Sequence, residues 1–244
     1  MLKPFPPEKL KSVLDALEKH RPKGRAVAAF DADGTLWDTD LGETLFGYEI
    51  DNRTVPLPQD PWGHYVQMKQ VDRHAAYLWL AQINNGVPIN QVREWAEKAV
   101  AAKPLPIFEE KKAIIQKLKE LEVEIYIVTA SIKWAVEPGA RRLGLTEDQV
   151  IGIETEVKDG IVTDKQKGVI TWCEGKPQAL LERTGGVKPY FAAGNTEGDL
   201  WLLEASTQLQ LVVSAAPEDN RLWRTESRML EIAKARGWFH HRYG

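Results

Sequence analysis

Apolar residues follow two patterns along this chain: short continuous runs, and a repeat of three to four positions. The stretches 26–30, 124–128 and 209–213 are predominantly apolar, interrupted only by Glu124 and Gln210, and each is followed by a polar residue, which indicates buried strands. The segments 8–20 and 109–121 place leucine, isoleucine or valine at helical spacing, which predicts amphipathic helices. Strands that alternate with helices are typical of a parallel sheet, so the pattern predicts an α/β protein.

The C-terminal half continues this alternation. Asp159-Gly160 predicts a tight hairpin turn, because Asp-Gly is a strong signal for two-residue turns. The last clear strand is the run at 209–213, and His240 and His241 are expected in a solvated tail and not in a metal site. The other predicted elements are a helix over 133–143, hairpin strands over 150–157 and 161–163, a helix over 176–184, a strand over 189–193 and a helix over 197–205.

The segment 38–104 differs from the rest because it contains no strand-like run. The stretches 62–84 and 90–102 have helical character and are separated by Gly86-Val87-Pro88, a typical break. Aromatic residues are also dense there. We therefore predict a helical insertion in an α/β core. The predicted boundaries are 1–37 with 105–244 for the core and 38–104 for the insertion.

Composition and charge exclude several classes of function. The 244 residues include 32 Lys and Arg and 35 Asp and Glu, a formal net charge of −3, so no strong field attracts nucleic acid or anionic lipid. Cys173 is the only cysteine, which excludes an internal disulfide and zinc sites that need two cysteines. No apolar run is long enough to span a bilayer, and Met1 to Lys11 lacks the apolar stretch of a signal peptide. We therefore expect a cytoplasmic protein.

A pair of aspartates follows the first predicted strand, in the string Asp31-Ala32-Asp33-Gly34-Thr35-Leu36-Trp37. Side chains two positions apart on an extended segment point to the same side, at the strand end where ligands bind in open parallel sheets. Such carboxylates suit Mg²⁺, and one can attack phosphorus while the other protonates a leaving alkoxide. A bare D-x-D-G is equally consistent with a strand followed by a simple turn.

The full string D-x-D-G-T-L after an apolar run resembles the signature of the haloacid dehalogenase superfamily of phosphatases. Three later clusters are similar to its other motifs and occur in the same order. They are Thr129-Ala130-Ser131, Gly175-Lys176-Pro177 and Asn195-Thr196-Glu197-Gly198-Asp199. The lysine motif is similar to that of the phosphoserine-phosphatase-like branch. The resemblance implies a Rossmann-like parallel sheet core, with the insertion forming an α-helical cap that covers the site and selects the substrate.

The resemblance also implies catalytic roles. Asp31 is expected as the nucleophile, with Asp33 as the acid and then the base. Lys176 is expected to keep Asp31 ionised and to neutralise the phosphate, although a lone lysine is more often a solvated surface residue. A phosphoryl oxygen is expected to be bound by the hydroxyl of Thr129 and the N–H of Ala130. Ser131 either shares this role or caps the following helix.

The implied cofactor is Mg²⁺. Its expected ligands are Asp31, the carbonyl of Asp33, Asn195 and Asp199. The superfamily motif usually begins with an acid where this chain has Asn195. An amide oxygen can bind Mg²⁺ but brings no charge, so Asp199, and with it Glu197, must supply the negative balance.

The substrate is indicated by the stretch from Asp38 to Leu45, which resembles the corresponding part of bacterial phosphorylcholine phosphatases. Glu43 falls where that branch often has a carboxylate in contact with the substrate. A carboxylate beside aromatic rings suits an ammonium head group, through charge and cation–π contacts. The candidate aromatic residues are Trp37, Trp62, Tyr65, Trp79 and Trp134; packing of the cap is the alternative explanation for each of them.

The predicted function is Mg²⁺-dependent hydrolysis of a small organic phosphomonoester, similar to phosphoserine, phosphocholine or phosphoethanolamine, through an aspartyl-phosphate. No nucleic acid or membrane partner is expected, and the sequence indicates no oligomeric state. One alternative is a phosphotransferase, in which an alcohol replaces water. Another is a catalytically silent protein that binds a phosphorylated ligand. Asn195 favours this second alternative, whereas Asp31, Asp33, Thr129 and Lys176 oppose it.

Overall fold

The computed structural model describes residues 3–243. The helices are α1 (Pro7–Lys19), α2 (Leu41–Asn52), α3 (Pro61–Val71), α4 (Arg73–Gln82), α5 (Ile89–Ala101), α6 (Glu109–Glu120), α7 (Lys133–Arg142), α8 (Gly175–Thr184), α9 (Leu200–Ala205) and α10 (Trp223–Arg236). The strands are β1 (Val27–Phe30), β2 (Glu124–Ile132), β3 (Val150–Lys158), β4 (Ile161–Lys167), β5 (Phe191–Gly194), β6 (Leu209–Ser214) and β7 (Phe239–Arg242). Within residues 3–243, no helix has the length and apolar character needed to cross a membrane.

The chain divides into two compact units. The first comprises the chain up to Thr39, then Pro106–Val128, and then everything from Cys173 onward. The second comprises Asp40–Leu105 and Thr129–Trp172, so β2 begins in the first unit and ends in the second. The predicted insertion 38–104 falls almost entirely in the second unit, which also includes 129–172. Its role as a cap stays a prediction.

The first unit is built on parallel strands in the order β2-β1-β5-β6-β7. Every residue of β1 is buried. Ala28 pairs with Ile125 of β2 on one side and with Phe191 of β5 on the other. A strand enclosed in this way has no solvent-facing side, which explains its continuous apolar sequence. The predicted α/β architecture is confirmed, and the register brings the ends of β1 and β5 side by side.

The C-terminal region differs from the prediction, because α10 and β7 follow β6. β7 pairs in parallel with β6, with Val213 opposite His241. His241 is buried, and its ring contacts those of Phe5 and Tyr243 at centroid distances of 4.9 and 4.7 Å. The expected solvated tail is therefore wrong. An edge strand is held largely by main-chain hydrogen bonds, so its polar side chains gave no strand signal.

The second unit has a hydrophobic core shared by α2, α3, α4, α5 and α7. The stretch predicted as one helix over 62–84 is two helices that meet at Asp72, whose side chain accepts a hydrogen bond from the N–H of Ala75 (3.1 Å). Helix α2 was not predicted. The buried residues of this core are Leu45, Phe46, Tyr65, Ala76, Leu80, Ala81, Val92, Ala96, Ile132, Trp134, Ala135 and Val162.

The predicted hairpin is confirmed as the antiparallel pair β3–β4, with Lys158 opposite Ile161. Its turn also bonds to the loop before α5. The N–H of Ile89 donates to the carbonyl of Gly160, and the N–H of Val162 donates to the carbonyl of Val87, both at 2.9 Å. These bonds explain why the hairpin belongs to the same unit as the helices of the insertion.

Candidate active site

Asp31 lies directly after β1, at the carboxyl end of the central strands. Its N–H donates to the carbonyl of Ala193 in β5 (2.9 Å), which extends the pairing of the two strands past the end of β1. Its carboxylate is buried. Oδ1 accepts from Nζ of Lys176 (2.6 Å), and Oδ2 accepts from Oγ1 of Thr35 (3.0 Å). The nucleophile predicted from the sequence is therefore held through its main chain and both of its carboxylate oxygens.

Lys176 joins two of the predicted site residues. It lies in the first turn of α8, and its Nζ donates to Asp31 Oδ1 at 2.6 Å and to Asp199 Oδ1 at 2.5 Å. The side chains of all three are less than one tenth exposed. Charged hydrogen bonds are strong in such an environment. One ammonium between two carboxylates leaves a net charge of −1 on this group.

The charge balance shifts the pKa of both Asp31 and Lys176. Burial, together with the charge of Asp199, raises the pKa of Asp31 to about 6, although Lys176 and Thr35 act to lower it. Burial acts to lower the pKa of Lys176, but the charges of Asp199 and Asp31 outweigh it, and the pKa lies above its ordinary value. The ammonium of Lys176 is stabilised by two carboxylates, whereas Asp31 and Asp199 have this one ammonium between them. Lys176 therefore stays charged, and a further cation would lower the pKa of Asp31.

Asn195 lies just beyond β5, and a buried glutamate fixes its amide. Its Nδ2 donates to Oε1 of Glu226 (3.0 Å), so its Oδ1 is directed toward Thr35, whose Oγ1 is 3.3 Å away. Thr35 has a single hydroxyl proton, which it shares between Asp31 Oδ2 and Asn195 Oδ1. One of these two oxygens is therefore left for another partner. Gly34 permits this approach, because a Cβ at position 34 would lie 2.1 Å from Asn195 Nδ2.

Glu226 is the site residue that sequence reasoning missed. It lies on α10 and is 1% exposed. Its Oε2 accepts from Oγ of Ser214 (2.9 Å) and from the N–H groups of Ala215 (3.0 Å) and Ala216 (2.9 Å). These donors stabilise the buried charge and leave Oε1 for Asn195. The only signal available in the sequence was an acid on the apolar face of a helix that was itself not predicted.

Asp199 shapes the turn that follows β5. Its Oδ2 accepts from the N–H groups of Asn195 (3.0 Å) and Thr196 (2.9 Å), while its Oδ1 accepts from Lys176. Its described contacts therefore position Lys176 and the turn that carries Asn195. A direct bond from Asp199 to a metal stays a prediction.

Asp33, the predicted acid and base, is held by a tryptophan of its own loop. Nε1 of Trp37 donates to Asp33 Oδ1 at 2.8 Å, and the indole is fully buried. The loop is closed by the N–H of Gly34, which donates to the carbonyl of Trp37 (2.9 Å). Trp37 thus orients the second aspartate, and its predicted contact with the substrate stays a prediction.

The remaining predicted residues, Thr129, Ala130, Ser131 and Glu43, lie in the second unit. The buried Thr129 accepts from the N–H of Ser131 at its Oγ1 (3.1 Å). The first turn of α2 lies against this segment, since a Cβ at Gly42 would be 2.7 Å from Oγ of Ser131. Glu43 is therefore a neighbour of the predicted phosphate-binding segment. Binding of phosphate by these residues stays a prediction.

The aromatic candidates of the second unit pack against each other. The ring of Phe46 lies 4.8 Å from that of Trp62, 5.8 Å from that of Tyr65 and 5.5 Å from that of Trp79, all near edge-to-face. Trp134 is buried in the core. These contacts support the packing explanation for most of the aromatic residues.

The oxygens around Asp31 fit a hard divalent cation. Across residues 3–243, no three His, Cys, Asp or Glu side chains form a metal-binding group by themselves, so the predicted set depends on an amide and a main-chain oxygen. Asp31 Oδ2 and Asn195 Oδ1 converge on one hydroxyl that can donate to only one of them. Two oxygens with too few donors, beside a net negative charge, are suited to Mg²⁺.

Comparison with known proteins gives one family and one curated relative. The family model described as haloacid dehalogenase-like hydrolase matches residues 28–204. Phosphorylcholine phosphatase from Pseudomonas aeruginosa is 26% identical in an alignment that covers 72% of this chain and 62% of the relative. The chain therefore spans less than two thirds of that relative's length.

Solved structures share the fold. A conserved, functionally unknown protein from Anaerococcus prevotii superimposes with a TM-score of 0.72 at 15% identity, covering 98% of this chain and 92% of the other. A substrate-bound phosphoserine phosphatase superimposes with a TM-score of 0.54 at 18% identity, covering 88% and 99%. At these identities the likeness concerns the fold alone.

Proposed function

This chain belongs to the haloacid dehalogenase-like hydrolase family, and from that membership we propose that it is a Mg²⁺-dependent phosphatase of small organic phosphomonoesters. The observation that carries the proposal is the group formed by Asp31, Lys176 and Asp199. A carboxylate at the end of β1, held by a buried ammonium, has the charge and position that a nucleophile for phosphoryl transfer needs.

In the first step, Asp31 attacks the phosphorus and the bond between phosphorus and the ester oxygen breaks. Asp33 donates its proton to the departing alkoxide, so an alcohol leaves and an aspartyl-phosphate forms. Trp37 holds Oδ1 of Asp33 and so limits the directions in which its carboxyl can point. This restriction favours proton transfer to a single leaving group.

In the second step, Asp33 is ionised and acts as a base. It takes a proton from water, and the water oxygen attacks the phosphorus of the aspartyl-phosphate. The bond between phosphorus and the Asp31 oxygen breaks, which releases inorganic phosphate and restores the carboxylate. Lys176 offsets negative charge throughout, because it stays protonated between its two carboxylates.

Mg²⁺ would be held by Asp31, the main-chain carbonyl of Asp33, Asn195 and Asp199, directly or through water. When bound, it supplies positive charge that neutralises the phosphoryl oxygens. Glu226 keeps the oxygen of Asn195 directed toward Thr35, and Thr129, Ala130 and Ser131 are proposed to donate hydrogen bonds to the phosphoryl group.

The same family and relative support the proposed substrate class. The curated relative is a phosphorylcholine phosphatase, which supports a small phosphomonoester as substrate. We therefore propose alcohols of the size of serine, choline or ethanolamine. The second unit, which contains Glu43, is proposed to select among them.

The test is release of phosphate from p-nitrophenyl phosphate and a panel of small phosphomonoesters. The wild type is expected to be active with Mg²⁺, inactive with EDTA, and active again when Mg²⁺ is restored. Asp31→Asn is expected to abolish turnover, whereas Asp15→Asn, an exposed aspartate paired with Lys11, is the matched control. Turnover by Asp31→Asn at the wild-type rate would refute the proposed nucleophile.

The same assay separates the alternatives. A phosphotransferase would produce phosphorylated alcohol when an acceptor alcohol is added, in place of inorganic phosphate. A silent protein that binds a phosphorylated ligand would bind the panel without turnover. The complete set of Asp31, Asp33 and Lys176 favours hydrolysis over silent binding.

A further inference from the structure

One lysine of the second unit, Lys69, contacts Glu43, the carboxylate that is proposed to meet a cationic head group. Nζ of Lys69 lies 3.4 Å from Oε1 of Glu43 and 4.2 Å from the ring centroid of Tyr65. A carboxylate and an aromatic face are the two features that attract an ammonium group. Both are already engaged by a side chain of the protein itself.

The position of Lys69 follows from the local structure. Tyr65 and Lys69 are four residues apart on α3, so their side chains lie on the same helix face. The Tyr65 ring is fixed by Phe46, and Glu43 is fixed in the first turn of α2, where its N–H donates to Asp40 (2.8 Å). The side chains of Lys69 and Glu43 are 18% and 25% exposed, so the pair is partly withdrawn from water and is screened by salt less than a fully exposed pair.

We infer that Lys69 is a specificity-determining residue: it neutralises Glu43 and disfavours substrates whose alcohol carries a permanent positive charge. This inference rests on the proposed function and narrows its substrate class. The favoured substrates have hydroxyl or carboxylate oxygens, which can accept hydrogen bonds from the Lys69 ammonium. A trimethylammonium group has no N–H and would have to displace Lys69 from both Glu43 and Tyr65.

The Glu43–Lys69 pair changes the expectation for the substrate, because Glu43 is the residue that indicated an ammonium head group. Glu43 on its own favours phosphocholine, but the Glu43–Lys69 pair carries no net charge. The segment next to it is the one predicted to bind phosphate, because Gly42 lies against Ser131 within the same unit. A charge at Lys69 is therefore well placed to affect the alcohol part of a substrate.

The test is the ratio of kcat/KM for phosphocholine to kcat/KM for glycerol phosphate. Lys69→Met keeps the length of the side chain and removes its charge, and it is expected to raise this ratio about tenfold. Lys69→Arg keeps the charge and is expected to leave the ratio near that of the wild type. Because each ratio is measured within one enzyme, differences in the amount of folded protein cancel.

Lys98→Met is the matched control. Lys98 also lies in the second unit and pairs with a glutamate, Glu94 on α5, but does not contact Glu43, so its removal is expected to leave the ratio unchanged. An unchanged or lower ratio in Lys69→Met would overturn the inference, as would an equal rise in Lys98→Met.

A binding measurement separates this inference from the proposed function. Calorimetric titration of choline into the Asp31→Asn protein needs no turnover. Adding Lys69→Met to that protein is expected to tighten choline binding about tenfold. Equal or weaker binding would overturn the inference even if the wild type is an active phosphatase. Tighter binding would support it even if no phosphomonoester is hydrolysed.

Discussion

Two groups of paired charges, one in each unit, differ in length and burial. In the first unit, Lys176 contacts Asp31 and Asp199 at 2.6 and 2.5 Å, with all three side chains nearly inaccessible. In the second unit, Lys69 and Glu43 are 3.4 Å apart and each is about one fifth to one quarter exposed. Short, buried pairs hold one geometry, whereas longer and partly exposed pairs can exchange partners. The first arrangement suits chemistry that needs fixed atoms, and the second suits recognition of varied alcohols.

Buried acids are accommodated in two ways, and pairing with a cation occurs in both units: Glu137 of the second unit is buried and accepts from Nε of Arg93 (2.8 Å). In the first unit, Glu110 pairs with the buried Lys111 (2.8 Å), and Glu226 is surrounded by hydroxyl, amide and main-chain donors. In the second unit, Glu49 is 1% exposed and its Oε1 has no hydrogen-bond partner. A buried acid without a counter-ion avoids the cost of burial by staying protonated. Charge is therefore compensated by partners in one case and by protonation in the other.

The largest expected effect comes from removing the shared cation. Lys176→Met leaves Asp31 and Asp199 buried together without compensation, so we expect activity to fall about a thousandfold. We also expect the free energy of unfolding to fall by about 3–5 kcal/mol, the usual range for breaking a buried pair. Steady-state kinetics and urea denaturation measure the two effects.

Lys112→Met is the control for this change, since Lys112 pairs with Glu109 on the exposed face of α6. It is expected to alter neither quantity appreciably. If Lys69→Met lowered activity on every substrate as far as Lys176→Met does, the contrast between a catalytic pair and a recognition pair would be refuted.

The second prediction concerns the protonation of Glu49. Burial raises the pKa of Glu49 to about 8 from its ordinary value of 4.5, although a hydrogen bond from Asn84 acts in the opposite direction. The folded protein therefore binds more protons than the unfolded chain between these values. The stability that protonated Glu49 contributes is complete below pH 4.5 and is lost as the pH rises toward 8. The free energy of unfolding falls over this range by at most about 1.4 kcal/mol per pH unit.

Glu49→Gln is expected to remove this part of the pH dependence, because glutamine keeps the shape and cannot ionise. The variant should exceed the wild type in stability above pH 8 and differ least in acid. Urea midpoints measured across this range check the prediction. Parallel pH profiles for the two proteins would show that Glu49 ionises in the folded state as readily as in the unfolded chain.

The third prediction tests the control of the metal ligand by Glu226. Glu226→Gln weakens the acceptor that fixes the amide of Asn195 and also disturbs the donors at Ala215 and Ala216. Loss of such an outer partner typically weakens metal affinity about tenfold to a hundredfold. Activity titrated against Mg²⁺ should therefore show a higher half-saturation concentration, with most activity recovered at saturation.

Glu110→Gln provides the control for Glu226→Gln. Glu110 is also a buried acid of the first unit, but it contacts Lys111 and Tyr243 and none of the proposed metal ligands. It is expected to lower stability without changing the Mg²⁺ requirement. A Mg²⁺ requirement that is unchanged in Glu226→Gln would remove Glu226 from the site.

The sequence predicted the parts of this site that follow local rules. Asp31 and Asn195 stand directly after strands β1 and β5, and apolar runs identify those strands. Adjacent parallel strands then bring their ends together, as the pairing of Phe30 with Ala193 does. The strand rule does not predict Lys176, because a lysine on a helix gives no indication of its partners. Lys176 was predicted only from its place in the series of motifs.

The parts that were missed depend on contacts between distant residues. Helix α10 has a sparse apolar face, in which Glu226 is buried with Met229, Leu230 and Ala233, so periodicity did not reveal it. The contact from Glu226 to Asn195 exists only once α10 has packed against the sheet. Lys69 was missed for a similar reason, since its partner Glu43 lies on a different helix and local spacing does not encode the distance between them.

The smallest expected effect is that of Asn195→Asp, which restores the acid usual in this family's motif. A charge at position 195 should attract Mg²⁺, but the new carboxylate would face Oε1 of Glu226, which now accepts a hydrogen bond from Asn195 at 3.0 Å. Repulsion between the two acids offsets the gain, so the single variant should change Mg²⁺ affinity by only about threefold or less.

Combining Asn195→Asp with Glu226→Gln removes that repulsion, because glutamine can donate to the new aspartate. The double variant is expected to bind Mg²⁺ more tightly than the wild type, although Glu226→Gln alone binds it more weakly. This reversal of sign is diagnostic of direct contact between the two positions. If the two changes add independently in Mg²⁺ titrations, Glu226 does not act through residue 195. The presence of asparagine in place of the usual acid at position 195 would then need another explanation.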